Sequence, residues 1–105
     1  MSADAIKSNY VEKYNAVGER QFYKFLLSYA VERMVKAKNG EKGSVSPEVE
    51  FLERAEKFLH FYRQDNQDIY LNISRIFRKA AHKIYRLCLK NGTIKRNNKF
   101  LNLVG

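Results

Sequence analysis

The side chains best suited to chemistry in this sequence are cations that follow one another at helical spacing. Between residues 75 and 90, lysine and arginine recur one, three or four positions apart, with one histidine among them. Side chains three and four apart are neighbours on one face of a helix. The row consists of Arg75, Arg78, Lys79, His82, Lys83, Arg86 and Lys90. Guanidinium groups fork onto phosphate oxygens and ammonium groups bind them as point charges, so the row predicts binding to a polyanion.

The segment from about 67 to 91 separates into two faces when it is drawn as a helix. The apolar face comprises Ile69, Ile73, Ile76, Phe77, Ala80, Ala81, Ile84, Leu87 and Cys88. It fills an arc of about 140° opposite the basic row, which is typical of a helix that packs on a core. From Arg75 to Lys90 the basic row is roughly 22 Å long, a length that suits several consecutive phosphates. A rigid basic surface is therefore expected.

The connection at 63–68 gives this surface a more specific interpretation. If it forms the corner of a helix-turn-helix, Asn72 and Arg75 reach base edges in the major groove, while the later cations hold the phosphate backbone. Lys95 and Arg96 in the tail would add to the same surface. The sequence predicts binding to a polyanion more strongly than it predicts recognition of particular bases.

The net charge of +9 is concentrated at one end of the chain. Residues 1–68 hold 11 basic and 11 acidic side chains, whereas residues 69–105 hold nine basic side chains and no acid. Such asymmetry favours nucleic acid or another polyanion as partner. The alternatives are a solvated face and an acidic protein partner. A membrane surface is disfavoured, because the apolar face of the same helix is needed for the core.

Other kinds of chemistry find little support. His60 and Glu56 form one pair four residues apart, whereas helical di-iron sites use Glu and His three apart on each of two helices. Cys88 lies on the apolar face, where a thiol is ordinarily buried and inert. The chain has no Gly-rich phosphate loop and no recognisable nucleophile–base signature. We expect no enzyme activity, no metal and no cofactor.

The elements that position the basic row are predicted from caps and periodicity. Ser46-Pro47-Glu48 has the pattern of a helix start, with a hydroxyl at the N-cap and proline at the first helical position. An amphipathic helix is expected over 47–64, and Asp65 or Asn66 is expected to cap the next one. A short turn between two amphipathic helices predicts an antiparallel helical hairpin at 47–91.

Upstream, residues 19–38 are apolar around most of the helical wheel, which indicates a central helix or one covered by another subunit. Phe22, Phe25 and Tyr29 are therefore expected at an interface, and Phe61 joins them because it lies outside the apolar arc of its own helix. This is the alternative function: a helical protein–protein interaction module with no nucleic-acid role, for which a homodimer is one of the arrangements expected. Residues 4–17 form a further helix or continue through Gly18 at a cost of about 1 kcal/mol.

These elements predict one all-α domain over 1–105, a bundle of three to four helices. Residues 39–45 read as a flexible linker, and the basic tail 93–105 as irregular or hairpin-like. No apolar run approaches the length of a membrane span, and the N-terminus lacks a secretory pattern. With a single cysteine, these features favour the cytoplasm.

Overall fold

A computed structural model describes the backbone of residues 3–38 and 46–90 and the side chains of residues 5–34 and 46–87. It contains the helices α1 (Ala3–Lys38), α2 (Pro47–Asp65) and α3 (Asp68–Lys90). Within the described ranges there is no strand, so the predicted all-α bundle is confirmed. The linker 39–45 and the tail 93–105, with Lys95 and Arg96, lie outside the described residues.

The first helix is broken at Gly18, whose backbone has φ 82° and ψ 172°. This conformation is essentially restricted to glycine. The break bends α1 so that its two halves, residues 3–17 and 19–38, meet on the inside of the bend. There the ring of Phe22 lies 5.9 Å from that of Tyr14 and 6.2 Å from that of Tyr10, between centroids. The bundle is therefore built from three helices, the first of which acts as two segments.

The start of α2 lies where the Ser46-Pro47 pattern predicts it, but the Ser46 side chain does not cap the helix. The Ser46 carbonyl accepts hydrogen bonds from the backbone N–H groups of Val49 and Glu50 at 3.1 and 3.0 Å. Its hydroxyl makes no capping hydrogen bond. The N–H of Val49 is a usual donor to the hydroxyl of an N-cap serine. Here it donates to the Ser46 carbonyl instead.

The connection between α2 and α3 also differs from the prediction. Asn66 adopts a left-handed conformation (φ 56°, ψ 28°), and its N–H donates to the carbonyl of Tyr62 at 2.7 Å. Asn66 therefore closes α2, as residues that tolerate positive φ often do, and does not cap α3. The chain reverses over this short turn: Phe61 contacts Tyr70 near the turn, and Phe51 contacts Phe77 further away. The predicted antiparallel hairpin is confirmed.

The core forms around the ring of Phe77 on α3. Tyr10 and Phe22 of α1 and Phe58 of α2 surround it at centroid distances of 5.0, 5.8 and 6.0 Å. Aromatic pairs at such distances add stabilisation beyond the area that they bury. Since both halves of α1 reach the same ring as α2 does, one cluster joins all the helices.

A buried hydrogen bond fixes how closely the hairpin packs. The Ser74 hydroxyl of α3 donates to the backbone carbonyl of Ala55 on α2 at 2.7 Å. Ala55, Ala80 and Ala81 are fully buried nearby in the same core cluster. Small side chains let two helix backbones approach closely. The buried Ser74 hydroxyl is not left without a partner, because it donates its hydrogen bond to Ala55.

Candidate polyanion-binding surface

The basic side chains of α3 are positioned by the apolar side chains on its other face. Ile73, Phe77 and Ile84 are buried and fix the rotation of the helix about its axis. The side chains that then point to solvent are Arg75, Lys79, Lys83 and Arg86, all exposed. We call these four residues the basic face. No acid occurs in α3 after Asp68, so the face carries positive charge alone.

Arg78 belongs to the predicted row but is turned towards α2. Its Nη2 atom lies 2.8 Å from Oε1 of Glu56, and the two side chains are 37% and 52% exposed. An exposed ion pair of this kind is worth about 0–1 kcal/mol. The pair thus competes with a phosphate for Arg78 without excluding one.

Lys79 lies at the opposite edge of the basic face, against α1. Its Nζ atom stands 4.8 Å from the centroid of the Tyr23 ring, a cation–π arrangement. Between α1 and α3 at this point is an open cleft of about 230 Å³. The cleft is lined by Glu19, Arg20, Tyr23, Ile76 and Lys79. Here α1 contributes a further exposed cation, Arg20, to the surface.

The remaining residues of the predicted site are less open. Asn72 and His82 are half-buried at the borders of the basic face. The backbone of Lys90 is helical, but its side chain lies outside the described part of the chain. The structure therefore brings together Arg75, Lys79, Lys83 and Arg86, and it adds Arg20 and Tyr23, which single-helix periodicity cannot place.

The four residues expected at a subunit interface have different environments. Phe22 is fully buried in the chain's own core and is unavailable to a partner. Phe61 is only 6% exposed, because Tyr70 of α3 and Lys7 of α1 cover it. Tyr29 donates a hydrogen bond to Glu50 at 3.2 Å. Only Phe25, 39% exposed beneath the ammonium of Lys13, presents much of its ring among these four.

Two cations of α1 form ion pairs with carboxylates of α2. Lys7 pairs with Asp65 at 3.1 Å and lies over the rings of Phe61 and Tyr70. Its hydrogen bond to Asp65 raises the pKa of the Lys7 ammonium. Arg33 pairs with Glu50 at 3.1 Å. These two ion pairs link α1 to α2.

Two further observations bear on the kind of site. In the described part of the chain, no three His, Cys, Asp or Glu side chains converge as metal ligands would. Among the helices described, none combines the length and the apolar character that crossing a bilayer requires.

Comparison with models of protein families, with curated proteins and with solved structures yields no significant match. Function therefore rests on the geometry and charge of this chain.

Proposed function

We propose that the protein binds nucleic acid through the basic face of α3, by contacts to the phosphate backbone. The observation that carries this proposal is the exposure of Arg75, Lys79, Lys83 and Arg86 on one rigid helix. The buried stripe on the other side of the helix fixes their directions. Repeated phosphates are a polyanion with regular spacing, and a rigid row of cations binds them with little loss of conformational freedom.

The geometry favours contacts to the backbone over reading of bases. Asn72, the residue expected to reach base edges, is half-buried. Arg78 is engaged with Glu56. Phosphate contacts position a protein on nucleic acid but carry no sequence information themselves. The function proposed is therefore binding with little dependence on sequence.

A pair of charge-reversal variants tests the proposal. Lys83→Glu/Arg86→Glu alters the basic face, and Lys57→Glu/Arg63→Glu alters two exposed cations of α2. Each variant changes one lysine and one arginine, so the net charge falls equally. Fluorescence anisotropy with a labelled duplex should show a loss of at least tenfold in affinity for the first variant and a much smaller loss for the second. Equal losses would show that only the net charge matters.

A second candidate function is an interaction with a second copy of the chain through the outer side of α1. On this helix Phe25 is 39% exposed and Val31 is 51% exposed. Single exposed apolar residues are common on monomers, so this surface gives weaker support than the basic face does. Sedimentation equilibrium of the wild type and of Phe25→Ser would detect a dimer and show whether Phe25 holds it.

A further inference from the structure

The cleft between α1 and α3 gives the surface a feature that a plain row of cations lacks. It combines a half-buried aromatic ring, Tyr23, with two exposed cations, Arg20 and Lys79. At about 230 Å³ it is smaller than the roughly 300–1,000 Å³ of sites that enclose a whole small molecule. A cleft of this size suits one flat group of a larger ligand.

We infer that this cleft receives one unstacked base of a single-stranded nucleic acid, which stacks on Tyr23 while Arg20 and Lys79 bind the adjacent phosphate. The inference rests on the proposed function, since the same basic face supplies the backbone contacts. It deepens that function by naming single strands as the preferred substrate. Proteins that bind single strands combine a basic groove with aromatic side chains in this way.

The position of Lys79 supports stacking at this ring. Its ammonium lies over the Tyr23 ring, 4.8 Å from the centroid, so the side chain that covers this π-face at the cleft is Lys79. The side chain of Lys79 is exposed and flexible, and its ammonium can move from the ring to a phosphate oxygen as a base arrives. Charge attraction to the ring is thereby replaced by stacking and by a charge-assisted contact to phosphate.

The other two lining residues define the orientation of the base. Ile76 forms an apolar side of the cleft and is itself buried. Glu19 is exposed at the same cleft, and a carboxylate repels phosphate but accepts hydrogen bonds from the exocyclic amino groups of bases. The base therefore points its amino group towards Glu19, while its phosphate lies on the side of Arg20. Adenine, cytosine and guanine each have such an amino group, whereas thymine has none.

The inference predicts that a duplex and a single strand depend differently on Tyr23. Paired bases remain in the stack and cannot enter the cleft, so a duplex uses the basic face alone. The variant Tyr23→Leu keeps an apolar side chain against the core but removes the ring, and Tyr23→Phe keeps the ring. Circular dichroism and thermal unfolding test whether both variants are folded.

The test measures the affinity of the full chain for a strand of about 15 nucleotides rich in dA and dC, and for the same strand paired with its complement. Tyr23→Leu should weaken single-strand binding roughly tenfold and leave duplex binding within about twofold, and Tyr23→Phe should bind as the wild type does. A 2-aminopurine in the strand should be quenched by the wild type and by Tyr23→Phe only.

Two other outcomes are distinct. The inference is overturned if Tyr23→Leu leaves both affinities unchanged, or reduces the duplex and single-strand affinities alike, and the wild type does not quench 2-aminopurine. The proposed function stands in that case. Absence of binding to either probe by the wild type at low salt would overturn both.

Discussion

The guanidinium of Arg78 on α3 lies 2.8 Å from the carboxylate of Glu56 on α2. This contact divides the basic residues of α3 into two groups. Arg78 is held at the seam of the hairpin, whereas Arg75, Lys79, Lys83 and Arg86 are exposed. The number of phosphates that the protein contacts is therefore expected to be smaller than the number of cations in its sequence.

Release of Arg78 should strengthen binding to nucleic acid. In Glu56→Gln the ion pair is lost, one negative charge disappears from the edge of the surface, and Arg78 becomes free to bind phosphate. We expect a severalfold gain in affinity for a duplex and a salt dependence steeper by about one unit of log K per unit of log salt. Anisotropy titrations at several salt concentrations measure both quantities.

The control for this prediction is Glu12→Gln, which removes an exposed carboxylate from α1. It changes the net charge by the same amount but frees no cation of α3. A gain in Glu12→Gln as large as that in Glu56→Gln would show that the ion pair has no specific effect.

The bend of α1 should depend on glycine at position 18. In Gly18→Ala, an L-residue must adopt φ 82° and ψ 172°, at a cost of order 1–3 kcal/mol. A Cβ at this position meets no other atom within 4 Å, so the whole effect is one of backbone strain. Urea unfolding should show this loss for Gly18→Ala, whereas Asn15→Ala at an exposed helical site should lose nothing. Equal stability of the two variants would mean that the bend has no such requirement.

Removal of the Ser74 hydroxyl should destabilise the hairpin modestly. Ser74→Ala deletes the buried hydrogen bond to Ala55, which is worth about 0.5–1.5 kcal/mol. Alanine is the better helix former, so part of this loss is offset. Ser28→Ala, at an exposed site of α1, measures that gain alone. The difference in unfolding free energy between the two variants should be about 1 kcal/mol, and a difference near zero would contradict the role of the bond.

The pKa of Tyr10 predicts a loss of stability at high pH. Burial raises the pKa of its phenol above 10.0, and a hydrogen bond from Arg54 offsets part of that effect. The folded state thus holds this proton more tightly than the unfolded chain does. Its contribution is complete below pH 10 and is lost as pH rises through the folded-state pKa. Between about pH 9 and pH 11, the unfolding free energy of Tyr10→Phe should therefore fall less than that of the wild type. Parallel decreases in the two proteins would argue against burial of an ionisable phenol.

Much of the fold follows from local sequence patterns. Ser46-Pro47 marks the start of α2, and the apolar spacing of α3 identifies Ile73, Ile76, Phe77 and Ile84 as core residues, all of which are buried. These features were predictable because a hairpin buries one stripe of each helix, and periodicity reports such a stripe directly.

The departures from prediction arise where a third element covers a second face. Phe61 lies outside the main stripe of α2 and is buried because α1 and α3 both reach it. Tyr85, which is not part of the predicted apolar face of α3, is only 8% exposed because it packs into the core cluster. Leu87, expected in the apolar stripe, is 39% exposed. A helical wheel gives the preferred face of one helix but not the direction from which a distant segment arrives.

In the candidate site, too, some features follow from the sequence pattern and others depend on how the helices pack. The spacing of the cations predicted the basic face itself. The ion pair of Arg78 and the cleft beside Lys79 depend on the positions of Glu56 and Tyr23 in other helices. Contacts between residues more than 20 positions apart leave no periodic signal in a single sequence.

The salt dependence of duplex binding tests the central proposal most directly. If Arg75, Lys79, Lys83 and Arg86 each contact a phosphate, log K should fall by roughly 3–4 per unit of log salt. For Lys83→Glu/Arg86→Glu the slope should drop to about half of that value. For Lys57→Glu/Arg63→Glu it should remain close to that of the wild type. A wild-type slope near zero, or the same slope in both variants, would contradict binding of nucleic acid through the basic face of α3.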